Sequence, residues 1–344
     1  MIAAVLFGSR DIRVETVGDP SIQSNEVLMK VKACGICGSD IHMYKLGDLS
    51  KFQRKPSILG HEFSGEIVEV GSAVRGLRVG DKVLGYGRRN CGRCLWCQRG
   101  QGNKCSDTIL PGYGLDGAFA EYVVVPNPSL GKEFFHIPEV LGWEEAATIE
   151  PVAVACLAVE EARIQPNETV LILGAGMIGQ GILQVCKARG ATKIIVSEPS
   201  LKRLAMAKKL GADVALNPRK VNLVEAVMEV TSGEMANVAF ECSGSPVAFR
   251  QALQTIRPFG RVMQVGVFEG SLEISTDLMS LMRRKNVTLR AYGGSRWTEA
   301  LELVRLGKVR TRDLITHRFP LSNAKEAFET QLNADEAIKV LVKP

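Results

Sequence analysis

A glycine-rich stretch, LILGAGMIGQG at residues 171–181, limits the possible folds of this chain more than any other feature. Gly174, Gly176 and Gly179 stand in G-x-G-x-x-G spacing, directly after the apolar run TVLIL and at the start of a helical run. The first glycine allows a tight turn, the second lets a pyrophosphate approach the backbone, and the third lets helix and strand pack closely. The spacing alone is weak, but this strand-to-helix context predicts a dinucleotide-binding βαβ unit. A nucleotide-free sheet whose glycines only turn the chain is the alternative.

Segments of strand and helix character alternate around this motif, from TVLIL to GRVMQVGV at residues 260–267. The alternation predicts a parallel sheet with helices on both faces. The N-terminal part, up to about residue 150, instead contains short strands rich in Val and Ile and separated by turn residues. A helical run begins near residue 143, and Pro151 is expected to kink or split it. The predicted class is α/β, with a Rossmann-type doubly wound parallel sheet domain beside an irregular β domain.

The nicotinamide dinucleotide is the cofactor that this pattern favours. Glu198 ends the second strand of the unit, 19 residues after Gly179. A carboxylate there can accept hydrogen bonds from the adenosine ribose and would repel a 2′-phosphate, so NAD is favoured over NADP. Lys202 and Arg203 lie close enough to weaken that preference. The candidate cofactor-binding residues are Gly174, Gly176, Met177, Ile178, Gly179, Glu198, Arg203 and Val265.

Four cysteines within CGRCLWCQRGQGNKC predict a metal site. Cys91, Cys94, Cys97 and Cys105 stand in C-x2-C-x2-C-x7-C spacing. Four thiolates can surround Zn²⁺ and leave no open position, which predicts a structural zinc. An iron–sulfur cluster also uses four cysteines, although usually at other spacings. Four unligated thiols are the remaining alternative. Five nearby cations could offset the thiolate charge: Arg88, Arg89, Arg93, Arg99 and Lys104.

The overall composition points to a protein of a reducing compartment. Nine cysteines occur without a recognisable signal segment, and no apolar run is long enough to cross a membrane. The net charge of +6 comes from scattered lysines and arginines rather than a basic block. We therefore expect a cytoplasmic protein with a small-molecule substrate, and neither a nucleic acid nor a membrane as partner.

The ordered motifs resemble the zinc-dependent medium-chain dehydrogenases, and within them the polyol (sorbitol-type) branch. The resemblance is carried by GICGSDIH (35–42), LGHEFSGEIVEVG (59–71), the four-cysteine segment, IEPVAVA (149–155), LGAGMIG (173–179) and THRFPL (316–321). It implies a GroES-like catalytic domain, an irregular β-barrel formed by residues 1–151 and 288–344. It also implies a Rossmann domain over residues 152–287, an active site in the cleft between them, and a homo-oligomer, either a tetramer or a dimer.

The same resemblance implies a catalytic zinc. Cys37 and His61 match two of its ligands, and the third is Glu62 or Glu150, a choice that stays open. Cys34 forms a C-x-x-C with Cys37, which could be a redox pair, but the resemblance implies a packing role for it. Three further residues match supporting positions. The resemblance implies that Ser39 contacts the bound alcohol, that His42 ends a proton relay to solvent, and that Asp40 orients His61.

The implied reaction is zinc- and NAD-dependent hydride transfer between the nicotinamide and a secondary alcohol of a polyol, diol or sugar-like substrate. The Arg-Tyr pair of sorbitol-type relatives is not matched, because Tyr292 and Gly293 occupy those positions. Other polyols, sugar acids, L-threonine and 2,3-butanediol therefore remain alternatives to sorbitol. Two other classes compete. A zinc-free quinone or enone reductase would lack Cys37, the GHE triplet and the four-cysteine segment. A non-enzymatic zinc-bearing binding module would need a basic stripe with interleaved aromatic residues.

Overall fold

This computed structural model describes residues 1–344 except Thr192, Glu269 and Tyr292. The chain divides into two compact units, one formed by residues 1–150 and 311–344 and the other by residues 151–310. In the described parts of the chain, no helix is both long and apolar enough to cross a membrane.

The strands are numbered in chain order: β1 (Ile2–Gly8), β2 (Asp11–Thr16), β3 (Glu26–Gly35), β4 (Ser57–Ile58), β5 (Glu62–Val70), β6 (Lys82–Gly85), β7 (Leu110–Pro111), β8 (Gly114–Leu115), β9 (Tyr122–Pro126), β10 (Phe134–His136), β11 (Thr169–Leu173), β12 (Lys193–Ser197), β13 (Val214–Leu216), β14 (Ala236–Glu241), β15 (Ile256–Gln264), β16 (Thr288–Ala291), β17 (Ile315–Pro320) and β18 (Lys339–Lys343).

The α-helices are α1 (Gly38–Leu46), α2 (Leu95–Gln98), α3 (Trp143–Ala147), α4 (Ile149–Ala162), α5 (Met177–Ala188), α6 (Leu201–Leu210), α7 (Leu223–Val230), α8 (Pro246–Thr255), α9 (Thr276–Lys285), α10 (Trp297–Arg305) and α11 (Ala324–Leu332). Short 3₁₀ turns span Gly102–Lys104, Arg312–Leu314 and Leu321–Asn323.

The first unit is built around the long strand β3. A sheet in the order β10-β6-β5-β3-β18-β17 contains it, and β9 also pairs with β3. Strand β18 from the C-terminal tail pairs with the last residues of β3, with Val342 opposite Cys34 and Leu341 opposite Gly35. The tail therefore completes the sheet beside the segment that begins with Cys37.

The second unit is a parallel sheet in the order β13-β12-β11-β14-β15-β16. Helices α5 to α9 connect its strands, and the four residues Val170–Leu173 of β11 are buried as a continuous apolar run. The strand order reverses between β11 and β14, which is the position where doubly wound sheets bind dinucleotides. The predicted α/β class and the doubly wound sheet are confirmed.

The second unit ends at Arg310, whereas the sequence analysis placed its end at residue 287. Strand β16 pairs with β15 at the edge of the parallel sheet. Helix α10 follows it, and the compact unit extends to Arg310. The physical reason is that the strand in NVTLRA forms hydrogen bonds with the edge of the parallel sheet. A periodicity pattern shows that a segment is a strand, but it does not show which sheet the strand joins.

Candidate metal centres and cofactor site

The four-cysteine segment brings its sulfur atoms together. The Sγ–Sγ distances are 3.5 Å for Cys94–Cys97, 3.6 Å for Cys91–Cys105 and 4.0 Å for Cys91–Cys97. Zn–S bonds of about 2.3 Å in a tetrahedron require sulfur atoms about 3.8 Å apart. The four thiol groups therefore fit a closed zinc site.

Backbone groups prepare one of these thiols for a metal. Hydrogen bonds from the backbone N–H groups of Arg93 and Cys94 lower the pKa of the Cys91 thiol to about 7. The surrounding cations are partly engaged elsewhere, since Arg88 binds Glu133 and Arg89 binds Glu26. Two of the five cations predicted to balance the thiolates thus have carboxylate partners of their own.

Cys37 lies where β3 gives way to α1. It is the residue before the helix, in an extended conformation, and its backbone N–H donates to Asp40 Oδ2 at 2.9 Å. Asp40 is fully buried in the first turn of α1. An acidic side chain in that position caps the helix and interacts favourably with its positive end.

His61 and Glu62 complete a cluster with Cys37. One ligand atom from each of the three residues lies within 4.8 Å of the others. His61 Nδ1 is 3.6 Å from Asp40 Oδ1, and neither atom has a hydrogen-bond partner among the described residues. Burial alone would lower the pKa of His61, but Asp40 and Cys37 raise it well above its usual value. The site therefore attracts positive charge.

Glu62 also lies beside a lysine that the sequence analysis did not identify. Its Oε2 forms an ion pair with Lys339 Nζ of β18, and both side chains are almost completely buried. The same ammonium group donates to the backbone carbonyl of Ile36 at 2.8 Å. Burial opposes the charged form of Lys339, but Glu62 and Cys37 raise its pKa above the usual value. A strand ending IKVLVK gives no sign of such a role.

Glu150 lies in the first turn of α4, and Pro151 follows it. The predicted helix is split at Thr148 into α3 and α4, so Pro151 falls at a position where its missing N–H costs nothing. Burial and the nearby Glu62 carboxylate raise the pKa of Glu150 to about 7 against the opposing effect of His61. Within the described chain, the three-residue cluster contains Glu62 and not Glu150.

The donor set fits a catalytic zinc. A sulfur, an imidazole nitrogen and a carboxylate oxygen are the ligand types that such sites use, with one position left for a substrate. Ser39 and His42 lie three residues apart on α1, the first exposed and the second partly buried. Cys34 is completely buried, and burial raises the pKa of its thiol well above the usual value.

Two of the three motif glycines, Gly174 and Gly179, show steric requirements of their own. Gly174 has a φ of +94°, and a Cβ there would meet Ser243 at 3.0 Å. Gly176 directly precedes α5. A Cβ on Gly179 would lie 1.9 Å from the carbonyl oxygen of Gly174. The turn and the close packing expected of the first and third glycines are therefore present.

Glu198 is buried against the glycine-rich turn. Its Oε2 accepts a hydrogen bond from Ala175 N at 2.7 Å, and its Oε1 accepts one from Ser200 N at 2.9 Å. Buried Gln180 adds a contact that the sequence analysis missed, since its side-chain amide donates to the carbonyls of Ala175 and Arg203. Met177 is buried, Ile178 is partly buried and Val265 follows β15. All of these lie at the carboxyl end of the sheet.

A doubly wound sheet with a dinucleotide fingerprint, joined in one chain to a four-cysteine site and a Cys-His-Glu site, defines a metal-dependent dehydrogenase. The family described as alcohol dehydrogenase GroES-like domain matches residues 23–139, and the one described as zinc-binding dehydrogenase matches residues 178–305. The chain belongs to the zinc-dependent medium-chain dehydrogenases, in their polyol branch. It is an oxidoreductase of CH–OH groups.

Three relatives illustrate the similarity. A sorbitol dehydrogenase of Bacillus subtilis is 37% identical over 100% of this chain and 97% of its own. An L-threonine 3-dehydrogenase of Pyrococcus furiosus is 38% identical over 94% of this chain and 92% of its own. The crystal structure of 2R,3R-butanediol dehydrogenase from Bacillus subtilis matches with a TM-score of 0.88 and 32% identity, covering 100% of this chain and 99% of that one.

Proposed function

We propose that this protein is an NAD-dependent dehydrogenase that oxidises a secondary alcohol of a polyol, diol or sugar-like molecule, or reduces the matching ketone. The observation that carries the proposal is the Cys37–His61–Glu62 cluster, whose ligand atoms lie within 4.8 Å of one another. The Gly174–Gly179 turn in the same chain supports the cofactor half of the reaction.

The residues have distinct proposed roles. Cys37, His61 and Glu62 would hold zinc, with Glu150 close enough to affect the site electrostatically. The metal, when bound, supplies Lewis-acid chemistry that lowers the pKa of an alcohol hydroxyl. Asp40, whose Oδ1 lies 3.6 Å from His61 Nδ1, would orient the imidazole of His61 for the metal.

A proton path accompanies these ligands. Ser39 would accept the hydroxyl proton of the substrate while it donates its own toward His42, with a ribose hydroxyl of the cofactor between them, and His42 would release the proton to solvent. A His42→Ala variant should lose rate mainly at low pH, where the relay matters most. An unchanged pH–rate profile would remove His42 from the path.

NAD is the proposed cofactor rather than NADP. Glu198 is buried beside the glycine-rich turn, so a 2′-phosphate at that position would meet a carboxylate. Measuring kcat/KM with each cofactor tests this preference. Equal values would contradict the role proposed for Glu198.

The substrate is best decided by a panel. Three relatives are named for sorbitol, L-threonine and 2R,3R-butanediol. Tyr292, one of the two residues that replace the Arg-Tyr pair of sorbitol-type relatives, lies outside the described residues. Polyols, diols, sugar acids and L-threonine should be tested with NAD at saturating concentration, following absorbance of the reduced nicotinamide. Turnover of L-threonine alone would favour an L-threonine dehydrogenase activity. Turnover of none of these compounds would contradict the proposal.

A homo-oligomer, either a dimer or a tetramer, is also proposed. Strand β16 ends the parallel sheet, and its four residues are all exposed. The edge strand of a sheet can pair with the same strand of a second copy across a twofold axis. Sedimentation analysis should show a dimer or tetramer, and a monomer at micromolar concentration would contradict this. The cytoplasmic location stays a prediction.

A further inference from the structure

Two loops leave the carboxyl end of the parallel sheet beside the strand-order reversal. The first, Cys242–Gly244, follows β14, and the second, Val265–Gly266, follows β15. Gly174 of the glycine-rich turn packs against the first loop, since an added Cβ would meet Ser243 at 3.0 Å. In a doubly wound sheet the first βαβ half holds the adenosine side of the dinucleotide and the other half receives the nicotinamide side. These two loops therefore face the nicotinamide half.

One buried carboxylate joins both loops. Glu241 is completely buried at the end of β14. Its Oε1 accepts hydrogen bonds from Ser243 N at 2.8 Å and from the Ser243 hydroxyl. Its Oε2 accepts from Gly244 N at 3.1 Å and from Gln264 Nε2 at 2.7 Å. The backbone carbonyl of Glu241 also receives Val265 N and Gly266 N, at 2.9 and 2.8 Å.

Gln264 extends this connection. Its Nε2 lies between two acceptors, Glu241 Oε2 and the carbonyl of Gly266, so the orientation of the amide is fixed. The opposite atom, Gln264 Oε1, is buried and has no hydrogen-bond partner among the described residues. A buried acceptor without a donor is costly, so it is well suited to a donor supplied by a ligand.

The two loops pack so closely that neither Gly244 nor Gly266 can be replaced by a residue with a side chain without a clash. A Cβ on Gly266 would lie 2.2 Å from Gly244 N and 2.8 Å from Glu241 Oε2. A Cβ on Gly244 would lie 2.3 Å from the carbonyl oxygen of Val267. The loops touch each other backbone to backbone, with the carboxylate of Glu241 filling the remaining gap.

We propose that Glu241, acting through Gln264, is a positioning residue that fixes these two loops to receive the nicotinamide half of the cofactor. It does not touch the reacting atoms. The inference rests on the proposed NAD-dependent function and concerns only the nicotinamide side, because the adenosine side is formed by the Gly174–Gly179 turn and Glu198.

A glutamine at position 241 tests this role. Glutamine has the same size as glutamate, but an NH2 group replaces one carboxylate oxygen. This group is a hydrogen-bond donor and would face the N–H donors of one of the loops. We expect the Kd for NADH to rise roughly tenfold in Glu241→Gln, since hydrogen bonds to a charged acceptor are lost. The Kd for ADP-ribose, which lacks the nicotinamide, should change less than twofold. The fluorescence of bound NADH should also shift, because its ring environment changes.

Glu168→Gln is the matched control. Glu168 is a buried carboxylate of the same unit, but it precedes β11 at the opposite end of the sheet, where it pairs with Arg261. This variant should lose stability and yet bind NADH and ADP-ribose as the wild type does. If Glu241→Gln does not fold, Gln264→Met decides the question, with a smaller but equally selective loss of NADH affinity.

The outcomes separate the two levels of inference. Equal weakening of NADH and ADP-ribose, or no change in either, would overturn the role of Glu241 while leaving the proposed function intact. A wild-type protein that binds neither NADH nor NADPH would overturn the proposed function and this role together. Selective loss of NADH in Glu241→Gln or Gln264→Met, with the control unchanged, supports the proposal.

Discussion

Replacing Lys339 with methionine removes the ammonium group that neutralises Glu62. Both side chains are almost fully buried, so water cannot replace the lost partner. The raised pKa of Lys339 means that the ion pair is present at neutral pH and is lost only above the ordinary lysine range, as pH rises through the folded pKa. The variant is therefore a clean test at pH 7.

The expected cost depends on the metal. Removing one partner of a buried ion pair costs about 3–5 kcal/mol, because the other charge stays buried and uncompensated. The carbonyl of Ile36 also loses its donor, at 2.8 Å, in either metal state. With zinc bound, the metal compensates Glu62. If that recovers about 2 kcal/mol, thermodynamic linkage makes the catalytic zinc bind roughly 30-fold more tightly in Lys339→Met.

Competition with a chromogenic chelator measures this effect. The catalytic zinc should resist the chelator at roughly 30-fold higher concentration in the variant than in the wild type, while the affinity of the four-cysteine site for zinc is unchanged. Lys343→Met is the matched control from the same strand, since its ion pair with Glu144 is about half exposed and should contribute under about 1 kcal/mol. Weaker or unchanged zinc affinity in Lys339→Met, or equal destabilisation with and without zinc, would refute the reasoning.

Three further predictions follow from the same geometry. The pKa of Glu150 is raised to about 7, so the metal-free folded state binds more protons than the unfolded state. Its stability should therefore fall as pH rises from about 4.5 to about 7. A plot of Tm against pH should be flatter for Glu150→Gln, and an identical slope would contradict this prediction. Cys37→Ala should abolish turnover while NADH still binds, whereas Cys34→Ala should keep turnover, and the reverse result would exchange their roles. Elemental analysis should give two zincs per wild-type chain and one in Cys94→Ser, and two in both would rule out the four-thiolate site.

The fold followed from local patterns because each pattern has a local cause. The apolar runs that form β11 and β12 are buried on both faces of a parallel sheet, and this burial shows in the sequence as continuous hydrophobicity. Gly174 and Gly179 are required by a turn and by a backbone contact within their own βα unit. Periodicity could not assign β16 to a sheet, because a short strand carries no mark of its pairing partner.

The candidate site was predictable only in part, for a related reason. Cys37, Asp40, His61 and Glu62 were found from motifs close in sequence. The choice between Glu62 and Glu150 was left open, because either carboxylate could supply the third ligand oxygen. Lys339 affects that choice because it forms an ion pair with Glu62 and not with Glu150 in the described structure. No local sequence pattern distinguishes Lys339 from the other lysines in strands.

The sequence by itself determined the kinds of ligand atoms, the glycines that the turn requires and the order of strands and helices, because these are set by neighbouring residues. Only the tertiary structure determined which charged side chains form ion pairs with each other. Lys339 and Ile36 are 303 residues apart in the chain, and they meet because β18 pairs with the end of β3. Glu241 likewise joins two loops that come from different strands. Which charges are buried together depends on long-range packing, and losing one partner of an ion pair is costly chiefly when both groups have left water.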